Sequence, residues 1–164
     1  MHTEIQQTTI RVATPDDLDS IVALLPRLAD FKLPAGRNAD DLWSGDRALV
    51  MAWADGHRPD VGCYVATDHS EHPEQITGVA VVSLKPEMLS GKPSSHLEVL
   101  AVAKTAEGTG LGARLLQTAE QYAIDNDAES MTLHVFNVNK KARRLYEKAG
   151  FDDELIRYSK PLHR

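Results

Sequence analysis

Residues 96–112 read His-Leu-Glu-Val-Leu-Ala-Val-Ala-Lys-Thr-Ala-Glu-Gly-Thr-Gly-Leu-Gly. His96 to Val102 has the composition of a strand, and the apolar positions that begin at Leu111 belong to a helix. Between them, Gly108, Gly110 and Gly112 stand at alternate positions. Such spacing lets the backbone aim successive N–H groups at one point, and the helix that follows adds the positive end of its dipole. The combination predicts an anion site with a phosphate as its natural occupant. The same glycines also suit a flexible loop or a helix start that packs closely, and the loop alone leaves these readings open.

Spacing narrows the phosphate ligand. Gly108, Gly110 and Ala113 match the dinucleotide fingerprint formally, but there the first glycine follows the strand directly, whereas here Ala103 to Glu107 intervene. The next strand runs into Phe136 and Asn137 rather than the acid expected to hold a ribose. No Gly-Lys-Ser/Thr follows the loop, which excludes a P-loop.

Working outward, Thr9 to Ala13 alternates as a half-buried strand, and residues 1–8 are polar and patternless, a frayed tail. Thr14-Pro-Asp-Asp17 supplies an N-cap, a proline for the first helical position and acids matched to the helix dipole. The helix that follows buries Leu18, Ile21, Val22, Leu25 and Leu28, and Pro26 kinks it or ends its regular part. A second helix is expected over Asp40 to Asp55, interrupted at Gly45. Val61 to Thr67 and Gln75 to Leu84 read as an antiparallel hairpin whose long polar loop, Asp68 to Glu74, contains Pro73. Beyond Asp127 come a strand, Met131 to Phe136, and a helix, Asn139 to Ala149, capped by Gly150. A last strand is expected at Leu155 to Leu162. The order β-α-(α)-β-β-β-α-β-α-β describes an α/β (α+β) domain over residues 9–164. Its central sheet is mixed and mostly antiparallel, with six to seven strands and helices on both faces.

With 42% apolar residues in 164, the chain has the makings of one globular core. No apolar run approaches the roughly 20 residues of a membrane span, and the start lacks a signal pattern, so a cytoplasmic protein without membrane contact is expected. The formal net charge of −6 argues against a nucleic-acid-binding face. Cys63 is the single cysteine and sits in a strand-like setting, so it reads as core filler. No metal site is expected.

Three segments together resemble the GNAT superfamily of acetyltransferases: Leu97-Glu-Val-Leu-Ala-Val102, Gly108-Thr-Gly-Leu-Gly112-Ala-Arg-Leu-Leu116, and Asn139-Lys-Lys-Ala142-Arg-Arg-Leu-Tyr146-Glu-Lys-Ala-Gly-Phe151. They cover about a third of the chain, and the last fixes Asn139, Ala142, Tyr146 and Gly150-Phe151 at the family's spacing. The resemblance implies acetyl-CoA as cosubstrate and a splayed pair of parallel strands that binds it. Leu100, Ala101 and Val102 would line the pantetheine arm, and the amides of Thr109, Gly110, Leu111, Gly112 and Ala113 would hold the pyrophosphate beside Gly108. Asn139 would lie beside the arm near the thiol, and Ala142 is a further cofactor-binding position. Tyr146 resembles the residue that protonates the departing CoA thiolate, although its position on an apolar face also suits a core aromatic. One departure stands at Glu107, where the family usually has Gln or Arg. The nearby Lys104, Arg114, Lys140, Lys141, Arg143 and Arg144 compensate for it, reach the 3′-phosphate of CoA, or form a solvated helix face, the last being the reading favoured for most of them.

The expected chemistry is direct attack of a primary amine on the thioester, which requires a proton acceptor. Simple alternation places His96 and Glu98 on the face of Leu100 and Val102, near the acetyl group. His134 resembles the position where some protein N-terminal acetyltransferases carry a glutamate base. Glu98 ranks first as base, His96 second and His134 third. The competing function is a CoA-binding regulatory module without catalysis. The acceptor, a small molecule or a protein, is not named by any motif. Its wall is expected from Lys32 to Asp60 and Lys85 to Ser95, with Trp43, Trp53 and Tyr64 as candidate pocket aromatics, and a homodimer is compatible with the composition.

Overall fold

The computed structural model describes residues 7–70 and 74–163. Residues 1–6 of the expected tail, and Pro73 in the hairpin loop, lie outside them. The elements run β1 (Thr8–Val12), α1 (Leu18–Leu24), α2 (Ser44–Ala54), β2 (Val61–Asp68), β3 (Gln75–Pro86), β4 (Pro93–Val102), α3 (Leu111–Asp125), β5 (Met131–Leu133) and α4 (Lys140–Lys148). The strands form one sheet in the order β1-β2-β3-β4-β5, antiparallel except for the last pair.

Apolar alternation divides the sheet residues between two cores. On one face Cys63, Val65, Val79, Val81, Val99 and Ala101 meet Ile21 and Leu25 from the first helical segment and Val50 of α2, with Trp43 and Trp53 packed against them. On the other, Ala66, Ala80, Val82 and Leu97 meet Leu111, Leu115, Leu116 and Ala119 of α3, with Tyr146 and Phe151 at the margin. Cys63 is buried and its thiol is pushed up to about 12 by that burial, in keeping with core filler. The three aromatics expected near the acceptor have packing partners within the fold: both tryptophans pack on the first cluster, and half-buried Tyr64 meets Tyr122 edge-on at 6.1 Å.

The start of α1 is pinned as expected. The Thr14 N–H donates to Asp17 Oδ2 at 2.8 Å, and Arg11 grips the same carboxylate with two nitrogens at 2.7 and 2.9 Å. Pro26 does end the regular helix, which continues from Leu25 to Ala29 as a 3-10 turn. Gly45 does not interrupt α2. It falls in the first turn, where its N–H needs no intrahelical acceptor.

The sheet has five strands among the described residues, not six to seven. Leu155 to Leu162 forms no strand, and Leu155, Ile156, Tyr158 and Leu162 are exposed. A strand exists only through pairing, and this stretch has acids at 152–154 before it and Pro161, which lacks a donor, within it. Arg143 holds Asp153 at 3.0 Å, keeping the chain at the end of α4 on the surface. β5 also stops at Leu133 instead of Phe136, and this early stop opens the cleft described next.

Candidate active site

β4 and β5 pair in parallel only at Ser95–Met131, His96–Thr132 and Leu97–Leu133. β4 then continues to Val102, bonded to β3 on its other side. From Glu98 onward its second edge carries no strand, which leaves a row of backbone groups open along a groove. The divergence coincides with a β-bulge, since Val82 opposes Leu97 and Val81 opposes Val99, with Glu98 as the additional residue. A bulge bends its strand and raises the local twist.

The bulge also changes which side chains share a face. Leu97 points into the α3 core whereas Val99 and Ala101 point into the α1–α2 core, so parity is reset at Glu98. His96 and Glu98 are therefore not on the face of Leu100 and Val102, which pack on the α3 side. Glu98 instead turns toward Ser83 and Lys85 of β3, accepting from Ser83 Oγ at 2.5 Å and Lys85 Nζ at 3.1 Å.

The groove widens into a cleft of about 710 Å³ between the end of β4, the glycine loop and α4. Glu98, Leu100, Val102, His134, Asn139 and Tyr146 all line it, as do Ala101, Ala142 and the loop from Glu107 to Ala113 apart from Thr109. Thr109 uses its hydroxyl to close the loop on the Ala106 carbonyl at 2.6 Å. His96 lies behind the wall. It is buried, its Nδ1 is 2.7 Å from Thr132 Oγ1, and burial pushes its pKa down to about 4. Its ring touches that of exposed His134 edge-on at 4.8 Å. Asn139 caps α4, its Oδ1 accepting from the Ala142 N–H at 3.3 Å, and so presents the helix to the cleft.

At the loop, Gly108 and Gly110 have φ of 73° and 82°, and a Cβ at either would meet no atom within 4 Å. Their absent side chains leave space open at the start of α3, on the cleft, where the unpaired first N–H groups of a helix have the donor chemistry a phosphate requires. Gly112 is different. It has no positive φ, and a Cβ there would rest on Leu145 at 3.5 Å and Val102 at 3.9 Å. Two glycines thus shape the loop, whereas the third stands at a position where a methyl group would make ordinary contacts with α4 and β4.

Burial governs the proton affinities at the opposite end. Tyr146 sits edge-on to Phe151 at 5.9 Å, and desolvation pushes its phenol up to about 12, so it keeps its proton at neutral pH. Burial raises the affinity of Glu98, but the hydrogen bonds from Ser83 and Lys85 outweigh it and hold the carboxyl below its ordinary value. Asp46, in the first turn of α2, also lines the cleft. Its pKa is raised to about 7 by burial and then by the charge of Glu98. Sequence reading missed Asp46 and also Arg27, whose guanidinium reaches the cleft from the 3-10 turn after α1. The only local sign of either was a charged residue inside an otherwise apolar helical pattern.

Glu107, the departure from the family pattern, is paired with Arg27 and with Lys141, the latter at 3.2 Å. Of the other basic residues, Arg143 is tied to Asn137, Glu147 and Asp153, and Arg114 to the Thr8 carbonyl.

Comparison with known proteins agrees with this geometry. Residues 27–151 match the acetyltransferase (GNAT) family. The chain is 31% identical over 147 residues to the uncharacterized N-acetyltransferase YhfO of Bacillus subtilis (strain 168), with 88% of this chain and 90% of that protein covered. It is 26% identical over 148 residues to the thialysine N-epsilon-acetyltransferase of Bos taurus, covering 88% and 84%. The fold superposes on the ribosomal-protein-alanine N-acetyltransferase from Brucella melitensis biovar Abortus 2308 with a TM-score of 0.67 at 17% identity, covering 94% of this chain and 99% of that one.

Proposed function

Because this chain belongs to the acetyltransferase (GNAT) family, we propose that it transfers the acetyl group of acetyl-CoA to a primary amine by direct attack on the thioester. The observation that carries this reading is the continuous cleft, which has an amide cradle at Gly108–Gly110 at one end and Glu98 with Tyr146 along its length. The free edge of β4 suits the amide groups of a pantetheine arm, and the cradle suits its diphosphate. Bound acetyl-CoA supplies an acyl group already activated as a thioester.

The residues of the chain supply the remaining chemistry. Glu98 is ionised and positioned to accept the proton that the amine nitrogen loses as the N–C bond forms, directly or through one water. Tyr146 donates its phenolic proton to the sulfur as the C–S bond breaks, and a phenol kept protonated by burial is suited to that step. Ionised Glu98 gives the acceptor end a negative character that favours an ammonium substrate, and Asp46, with its pKa raised to about 7, adds to it only as pH rises past that value. His134, exposed at the cleft, is the second candidate acceptor of the proton. His96 acts by orienting it through the ring contact.

The test is release of free thiol from acetyl-CoA across a panel of primary amines and lysine-bearing peptides. Amine-dependent release that is lost in Glu98→Gln and Tyr146→Phe supports the reading. Silence across the panel from protein that binds CoA overturns the catalytic assignment.

A further inference from the structure

Arg27 lies across the junction between the open edge of β4 and the glycine loop. Its Nε donates to the Val102 carbonyl at 3.0 Å, where β4 ends, and its two terminal nitrogens pair with Asp30 and Glu107. Lys141, in the first turn of α4, pairs with the same Glu107 oxygen from the opposite wall. One carboxylate therefore links two cations contributed by elements on either side of the cleft. Next to it the backbone turns left-handed at Gly108, and beyond that the cradle amides are open.

A diphosphate seated in that cradle would lie beside the Glu107 carboxylate, and two like charges in contact are unfavourable. The two cations that hold that carboxylate line the same cleft. Glu107 is partly exposed and both of its ion pairs are at the surface of the cleft, so its side chain has solvent to swing into once a stronger anion takes its cations. Arg27 is held in place by Val102 and Asp30 without Glu107.

We infer that Arg27 and Lys141 are the cationic contacts for the diphosphate of the CoA substrate, and that Glu107 is a built-in counter-anion which occupies them until the diphosphate displaces it. The inference rests on reading the cleft as a CoA site. It explains why an acid is tolerated where the family has Gln or Arg. In this chain the cations come from the turn after α1 and from α4, and the loop residue keeps them paired when no ligand is present. It also gives the chain a CoA affinity set by competition, and therefore one that depends on salt.

Isothermal titration calorimetry of wild type, Glu107→Gln, Arg27→Gln and the double variant, with CoA and with 3′-dephospho-CoA, tests it. Glu107→Gln is expected to bind both ligands about fivefold more tightly at low salt, because the competitor is removed. Arg27→Gln is expected to bind both roughly tenfold more weakly, and in its background Glu107→Gln restores less than it adds to wild type. A gain with CoA that vanishes with 3′-dephospho-CoA assigns the cations to the 3′-phosphate and overturns the inference. So does an affinity of Glu107→Gln equal to or below wild type. If Arg27→Gln fails to fold, the Glu107→Gln comparison alone decides, because that side chain is on the surface. Wild-type protein that binds neither ligand removes the cofactor reading itself, an outcome separate from unchanged affinity in the variant.

Discussion

The glycine loop yields a prediction in which neighbouring glycines behave in opposite ways. Gly110 has φ 82° and caps α3, so alanine there must adopt the left-handed region although its methyl meets no atom within 4 Å. The cost is backbone strain alone, roughly 1–2 kcal/mol. For a chain of this length, that lowers Tm by about 2–4 °C per kcal/mol. Gly112 lies inside the first turn of α3 without a positive φ, and an added methyl would make ordinary contacts with Leu145 at 3.5 Å and Val102 at 3.9 Å. Gly112→Ala should therefore be neutral or stabilise by up to about 0.5–1 kcal/mol, the usual advantage of alanine over glycine in a helix. The two should also separate in CoA affinity. Gly110→Ala puts a methyl group into the open space of the cradle and should weaken CoA at least about tenfold, as loss of one charge-assisted hydrogen bond would, whereas Gly112→Ala leaves that space clear. Urea denaturation paired with calorimetry reads both quantities. Equal loss of stability in the two variants, or normal CoA affinity in Gly110→Ala, would refute the division of labour among the glycines.

Tyr146→Phe should lower turnover by about 10²-fold or more with little change in CoA affinity, and an unchanged rate removes Tyr146 as the acid. Glu98→Gln should lower kcat while leaving CoA binding intact, measured by thiol release beside calorimetry; retained kcat would pass the role to His134. Gly78→Ala should destabilise by roughly 1–3 kcal/mol, because its Cβ would fall 2.7 Å from Leu115 Cδ1 in the α3 core; a neutral urea midpoint would contradict the tight seating of α3 on β3. Asp46 holds its proton to about pH 7 in the folded chain but releases it near 3.8 when exposed, so the folded state binds the additional proton between those values. Stability should fall as pH rises through that window. Asp46→Asn should flatten the fall and raise stability at pH 8 by on the order of 1 kcal/mol after solvent screening, as thermal melts across pH would show.

The fold was readable wherever a local signal sufficed. Thr14-Pro15 marks the start of the first helical segment, the apolar repeat from Leu111 to Ala123 marks α3, and Gly150, with φ 96°, closes the last helix as its position suggests. The glycine loop was readable for the same reason. What escaped depends on partners distant in the chain. The bulge at Glu98 is a property of the β3–β4 register, and it moved Glu98 and His96 to the opposite face from the one simple alternation assigns. Arg27 reaches Glu107 across 80 positions, and no periodicity reports such a pair. Leu155 to Leu162 has strand-like residues, yet it pairs with no strand of the sheet among the described residues, and composition alone does not report pairing.

In the proposed complex CoA lies along the free edge of β4 with its diphosphate on the first turn of α3. Backbone amide NMR shifts on titration with CoA test it most directly. The largest changes are expected at Leu100 to Val102 and at Gly108 to Ala113, with smaller ones at the start of α4. Saturable binding with changes confined elsewhere, or no change at all, would contradict it.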